Sequence, residues 1–171
     1  AFLAAVLGIN LEEIVESRIL PSHLRQKDKD DKLGILDVRV LLNNKEQIDI
    51  EIQVTSSEYW VERTLFYLGK MFVDQLKPGE DYQKLEKCIH VGILNFTLFD
   101  DEEYYSRFHF WSDQGRKMYS DKYEIHTLEL PKLAKHEYPE TELLKWLQFI
   151  NAETKEEFEM AAEKSEYIKK A

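Results

Sequence analysis

Gly34–Leu42 (GILDVRVLL) and Gln47–Thr55 (QIDIEIQVT), separated by Asn-Asn-Lys-Glu, decide the fold. Both segments are rich in β-branched residues and alternate apolar with polar positions, the pattern of a β-hairpin. In the second segment the alternation is strict: Ile48, Ile50, Ile52 and Val54 take one side, Asp49, Glu51 and Gln53 the other. The register then decides what Asp37 meets. If paired residue numbers sum to 88, as 37 and 51 do, a three- or five-residue loop is centred on Asn44 and Asp37 stands opposite Glu51. Asparagine tolerates the left-handed backbone such loops need. A two-residue loop shifts the pairing and sends the two carboxylates to opposite faces.

With the first register, two carboxylates and the Gln53 amide share one face. Cβ atoms of directly opposed residues lie ~4.5–5.5 Å apart, where like charges destabilise the pair unless a cation lies between them. Hard carboxylate oxygens suit Mg2+ or Mn2+. An ion so held can polarise a phosphoryl oxygen and acidify water for hydrolysis of a phosphodiester. A plainer reading also fits the spacing: Asp37, Asp49, Glu51 and Gln53 as the wet face of an ordinary amphipathic hairpin.

The remaining segments place the hairpin in a fold. Phe2–Leu7 reads as the end of a helix stopped by Gly8. Leu11–Leu20 reads as a short strand before Pro21, and the charged run Arg25–Lys32 as an exposed loop. Ser56–Lys77 has helical apolar spacing, a serine to cap it and Pro78-Gly79 to stop it. Cys88–Phe96 (CIHVGILNF) is nearly continuous apolar sequence, as in a strand buried on both faces. Tyr104–Trp111 and Tyr123–Leu130 read as strands, with the aromatic residues of the first in the core. Glu140–Ala152 and Glu156–Lys169 read as helices. The expected class is α/β: a mixed sheet with the long helix as a crossover, plus C-terminal helices.

Composition narrows the function. No apolar run approaches the ~20 residues that span a bilayer, so no membrane partner is expected. The single cysteine, Cys88, excludes an internal disulfide and suits a reducing cytoplasm. The five histidines form no HExxH-like cluster. His109 and His126 fall in neighbouring strands without further marks of a general base. The formal charge is −10. Affinity for nucleic acid comes largely from cations that neutralise phosphates, so an acidic chain that binds DNA needs a local basic patch, a metal ion, or both.

The words around the hairpin are specific. DDKLGILDVRVLLNNKEQIDIEIQV (30–54), ERTLFYLGKMFVDQLKPGEDYQKL (62–85) and CIHVGILNFTLF (88–99) resemble the recombination-promoting nuclease and transposase family of the PD-(D/E)xK nuclease superfamily. The resemblance implies a restriction-endonuclease-like core over residues 1–135, lacking the family's upstream segment, with 136–171 as a helical extension. It also implies a divalent-metal-dependent DNA endonuclease linked to recombination or transposition. The family's aspartate, glutamate and glutamine fall on Asp37, Glu51 and Gln53. Asp37, Glu51 and the Ile52 carbonyl would then hold Mg2+ or Mn2+. Gln53 stands where most of the superfamily has lysine, and would orient water rather than lend charge. Arg63 and Tyr67, four apart on one helix face, are candidates to contact substrate, Arg63 by meeting a phosphate or else by orienting a carboxylate; a surface salt bridge and core packing are their plainer roles. DNA is the expected partner, and a homo-oligomer is compatible with such a domain. The rival expectation is a catalytically inactive binding or assembly module that keeps the nuclease scaffold.

Overall fold

Asn43 and Asn44 both take left-handed backbone conformations (φ 51° and 57°) and, with Lys45, form the loop between Leu42 and its partner Glu46. The Asn43 side chain ties this turn to the preceding chain. Its Oδ1 accepts from the Val15 and Glu16 amides at 2.9 and 3.2 Å, and its Nδ2 donates to the Glu13 carbonyl at 2.8 Å. Val38 pairs with Ile50 and Val40 with Ile48, so the numbers sum to 88. The expected register is the observed one.

The computed structural model describes residues 1–24 and 36–170. The loop expected at Arg25–Lys32, and Gly34 and Ile35 of the first hairpin segment, lie outside the described residues. Six strands, β1 (Ser17–Leu20), β2 (Val38–Leu42), β3 (Glu46–Gln53), β4 (Cys88–Leu94), β5 (Tyr105–Trp111) and β6 (Met118–Glu129), form one mixed sheet in the order β1-β2-β3-β4-β6-β5. The β3–β4 and β4–β6 pairs are parallel and the others antiparallel. Among the described residues four α-helices accompany the sheet: α1 (Phe2–Leu7), α2 (Trp60–Val73), α3 (Glu142–Ile150) and α4 (Lys155–Glu163). Helix α2 makes the crossover between parallel strands β3 and β4, as expected of an α/β fold of this class.

Strand β4 is buried at every position because both faces of the sheet are covered. Val6 and Leu7 of α1 and Leu143 and Leu147 of α3 pack on Ile48, Ile89, Val91, Ile93 and Leu128. Leu68 and Met71 of α2 pack on the other face, over Cys88. Each fully buried aliphatic side chain contributes about 1.5–3 kcal/mol, so this double layer anchors the centre of the sheet. On the α1 side, the fully buried Glu124 accepts from Lys87 Nζ at 2.9 Å and Arg107 Nε at 2.6 Å. His126 Nε2 and His109 Nε2 lie 2.7 and 3.1 Å from the same carboxylate. The two neighbouring-strand histidines thus meet on one acid.

Several segments differ from the sequence expectation. Leu11–Leu20 divides into a 3-10 turn, Leu11–Glu13, and the short strand β1. Helix α2 starts at Trp60 rather than Ser56, because Ser57 is spent on a turn: its carbonyl accepts from the Trp60 amide and its Oγ from the Tyr59 amide. Regular helix ends at Val73, and Gln75 and Leu76 continue with i→i−3 bonds to Phe72 and Val73. Phe108, Phe110 and Trp111 are not core; each is 40–50% exposed, because β5 lies at the sheet edge. No helix among the described residues is long and apolar enough to cross a membrane.

Candidate metal centre

Strand alternation sends Asp49, Glu51 and Gln53 toward α2, and the helix turns what would be a wet face into a buried one. Asp49 is 1% exposed and Glu51 8%. The plainer reading as a solvated face is thereby overturned for Asp49 and Glu51; Gln53 is half-buried and Asp37 exposed. Burial of ionisable groups is costly unless each is paired, and the partners come from α2 and β4. Arg63 Nη2 reaches Glu51 Oε1 at 2.6 Å and Gln53 Oε1 at 2.7 Å, so one guanidinium holds both side chains. Gln53 Nε2 donates to the Thr55 carbonyl at 2.8 Å, which fixes the orientation of the amide. In the parallel ladder Asp49 pairs with His90, and His90 Nδ1 lies 2.8 Å from Asp49 Oδ2.

Trp60, at the first turn of α2, roofs this group. Its indole lies 5.0 Å from the Arg63 guanidinium carbon, a cation–π contact, and 5.6 Å from the His90 ring. The indole fits because the β4 residue beside Glu51 is Gly92. A Cβ there would stand 2.7 Å from Trp60 Cζ2 and 3.3 Å from His90 Nε2.

Asp37 precedes β2, and extending the register by one pair sets it opposite Glu51. It is exposed, and its Oδ2 accepts from the Ile52 amide at 3.2 Å. The Ile52 side chain points away and is 54% exposed; the backbone of Ile52 is the part that faces Asp37. Burial is the main force that raises the Glu51 carboxyl above the usual range. Arg63 and His90 oppose the rise, and Asp49 and Asp37 add to it. The Tyr67 phenol is likewise raised, first by burial and then by Glu51. Tyr67 packs against the Leu24–Met71 cluster, so its packing role is realised. Arg63 forms its salt bridge with a buried acid rather than at the surface.

Two of Glu51's neighbours were not candidates from sequence. Asp49 looked like one more outward acid, and His90 like a lone polar residue in an apolar run. Their meeting depends on the pairing of strands 41 residues apart, for which no local signal exists. Asp49, Glu51 and His90 each offer one donor atom, and these atoms lie within 4.8 Å of one another. Asp49 Oδ1 and Glu51 Oε2 are buried and have no hydrogen-bond partner among the described residues. Orphaned buried carboxylate oxygens are rare in native structures and call for an ion or water. The donor set therefore fits a divalent cation.

The chain matches the model of one protein family, described as PD-(D/E)XK nuclease family transposase, over residues 1–171. No curated protein and no solved structure matches it. The mixed six-stranded sheet with its crossover helix is consistent with the α/β fold of such nucleases. A match over the whole of the sequence, on a fold of the right class, makes this chain a member of the PD-(D/E)XK nuclease family transposases.

Proposed function

We propose that the protein is a divalent-metal-dependent endonuclease that hydrolyses DNA phosphodiester bonds in recombination or transposition. The observation that carries this reading is Glu51: a buried carboxylate with one oxygen clamped by Arg63, the other orphaned, and Asp37 opposite it in the hairpin register. Asp37, Glu51 and the Ile52 carbonyl would hold Mg2+ or Mn2+. When bound, the ion supplies Lewis-acid polarisation of a phosphoryl oxygen and a lowered pKa for water. It also supplies positive charge to a chain of formal charge −10.

The protein's own side chains divide the remaining work. Arg63 contributes the fixed positive charge that most of the superfamily draws from a lysine at the position of Gln53. Its second role is to meet the substrate phosphate, for which a guanidinium offers a planar set of donors. Gln53 is held by Arg63 and the Thr55 carbonyl. A carbonyl oxygen has two lone pairs, so Gln53 Oε1 keeps one free to orient the attacking water. Trp60 and α2 exclude bulk water from Glu51 and so strengthen each of these interactions.

The test is cleavage of supercoiled plasmid in Mg2+ or Mn2+ by the wild-type chain and by Asp37→Ala. Asp37→Ala should lose more than the roughly 10–100-fold that removal of an outer-shell partner costs, with the fold intact by circular dichroism. Undiminished cleavage by that variant sinks the assignment. A wild-type chain that binds DNA and metal without cutting selects the inactive-module alternative.

A further inference from the structure

We propose that Asp49 and His90 are metal ligands alongside Glu51, so that the centre contains a nitrogen donor and takes transition ions such as Mn2+, Co2+ or Zn2+ in preference to Mg2+. This deepens the proposed function, which needs only the oxygen donors of Asp37, Glu51 and Ile52, and it shares Glu51 with that reading.

Geometry supports the donor set. Asp49 and His90 are partners in the parallel β3–β4 ladder, so the backbone itself brings the two side chains together. Donors each about 2.1 Å from one ion and roughly 90–110° apart stand about 3.0–3.4 Å from each other. His90 Nδ1 and Asp49 Oδ2, hydrogen-bonded at 2.8 Å, are near that separation, and an ion bound by His90 Nδ1 would replace the proton that the pair shares. The donor atoms of all three residues fall within 4.8 Å of one another, and trans ligands at such bond lengths lie about 4.2 Å apart.

A buried carboxylate–imidazole pair needs no ion to explain it, so the decisive atoms are those the pair does not use. The Asp49–His90 contact engages Oδ2 and Nδ1 alone. Asp49 Oδ1 remains without a partner among the described residues although Asp49 is 1% exposed, and Glu51 Oε2 is orphaned in a side chain 10% exposed. The two oxygens belong to residues two apart on the same strand face. Of the buried unpartnered atoms here, which include Arg39 Nε and Arg63 Nε, these two oxygens are the ones able to accept an ion.

Charge points the same way. Three carboxylates, Asp37, Asp49 and Glu51, act on this region. Arg63 is bound to Glu51, and Arg39 faces Asp49 across the β2–β3 ladder while donating to Gln47. Two guanidiniums face these three acids. An N,O,O donor set is borderline in softness. Imidazole favours transition ions, whereas Mg2+ is served by carboxylate, carbonyl and water.

The test is pulsed electron paramagnetic resonance on the full chain loaded with Mn2+ alone. A nitrogen coupling from a directly bound imidazole should appear, change when the protein is grown on 15N-histidine, and vanish in His90→Gln. Calorimetry should give Mn2+ binding at least tenfold tighter than Mg2+. Asp49→Asn, a near-isosteric change, should weaken Mn2+ at least tenfold while leaving Mg2+ within threefold. The isotope substitution requires no mutation, so misfolding of His90→Gln cannot mask the answer. Bound Mn2+ with no nitrogen coupling overturns this inference and leaves an all-oxygen Asp37–Glu51 centre standing. A His90 coupling in a chain whose DNA cleavage ignores Asp37→Ala removes Asp37 from the proposed catalytic centre and leaves the nitrogen site standing. Failure to bind Mn2+ at millimolar concentration overturns the inference outright.

Discussion

Gly92→Ala is the smallest change expected to dismantle the centre without touching a ligand. The added Cβ would stand 2.7 Å from Trp60 Cζ2 and 3.3 Å from His90 Nε2. Carbon atoms in contact settle at about 3.5–4.0 Å, so the indole must retreat by about 1 Å. It has little room to do so. Trp60 is 3% exposed and packs between His90 and Phe96, with ring centroids 5.6 and 6.3 Å away. Overpacking of this kind costs about 1–3 kcal/mol. The indole also carries Arg63 on its face, so its movement loosens the clamp on Glu51 and Gln53, and activity should fall with stability. Urea unfolding, followed by tryptophan fluorescence, gives the stability change at constant m-value. Trp60→Leu removes the colliding atoms, so the double variant should be more stable than the sum of the two single changes by at least about 1 kcal/mol. A Gly92→Ala chain within about 0.5 kcal/mol of wild type, or strict additivity in the double variant, refutes the packing argument.

Other consequences concern the rest of the sheet and the choice of Gln53. Glu124→Ala removes the shared acceptor of Lys87 and Arg107, whose side chains are 19% and 41% exposed and keep access to water, and should cost about 1.5–3 kcal/mol in thermal or urea unfolding; a loss under about 0.5 kcal/mol means the network is incidental. Burial pushes Glu124 upward, but hydrogen bonds from His126, Arg107 and Lys87 outweigh it and hold the carboxyl far below its ordinary value of 4.5. The contribution of Glu124 is therefore complete above that pH and lost as the pH falls below it. His126 is lowered from 6.5, chiefly by burial, so the unfolded chain takes up its proton first and stability also declines as the pH drops below 6.5. Urea midpoints measured across pH should fall on the acid side of 6.5 and again below 4.5, with the lower step smaller in Glu124→Gln; a midpoint that rises on acidification contradicts both signs. Gln53→Lys replaces the acceptor of Arg63 with a second cation and should reduce plasmid cleavage at least tenfold, whereas a gain would show that Arg63 does not stand in for the superfamily lysine.

The hairpin could be read from sequence because its determinants are local. Asn43-Asn44 supplies the left-handed turn, strict alternation supplies the faces, and together they set Asp37 opposite Glu51. The uninterrupted CIHVGIL run likewise betrays a strand with no wet side. What could not be read depends on which face a helix covers. Asp49 looks solvated until α2 closes over it, and His90 reaches it only through a parallel pairing set by the whole β3–α2–β4 crossover. Glu124 hides for the same reason: its cations come from the residue before β4 and from β5. The aromatics of β5 misled in the opposite sense. Phe108, Phe110 and Trp111 suit a core, but the edge of the sheet leaves them half uncovered.

The most direct measurement is plasmid cleavage by chain stripped of metal with chelator, then supplied with Mg2+ or Mn2+, beside Glu51→Gln. That substitution keeps the shape of the side chain and an acceptor for Arg63 while removing the charge a cation needs. The expected result is no cleavage in chelator, nicked and linear plasmid on return of the metal, and none of either from a normally folded Glu51→Gln chain. Cleavage that persists in chelator, or survives unchanged in Glu51→Gln, would contradict a metal-dependent nuclease centred on Glu51.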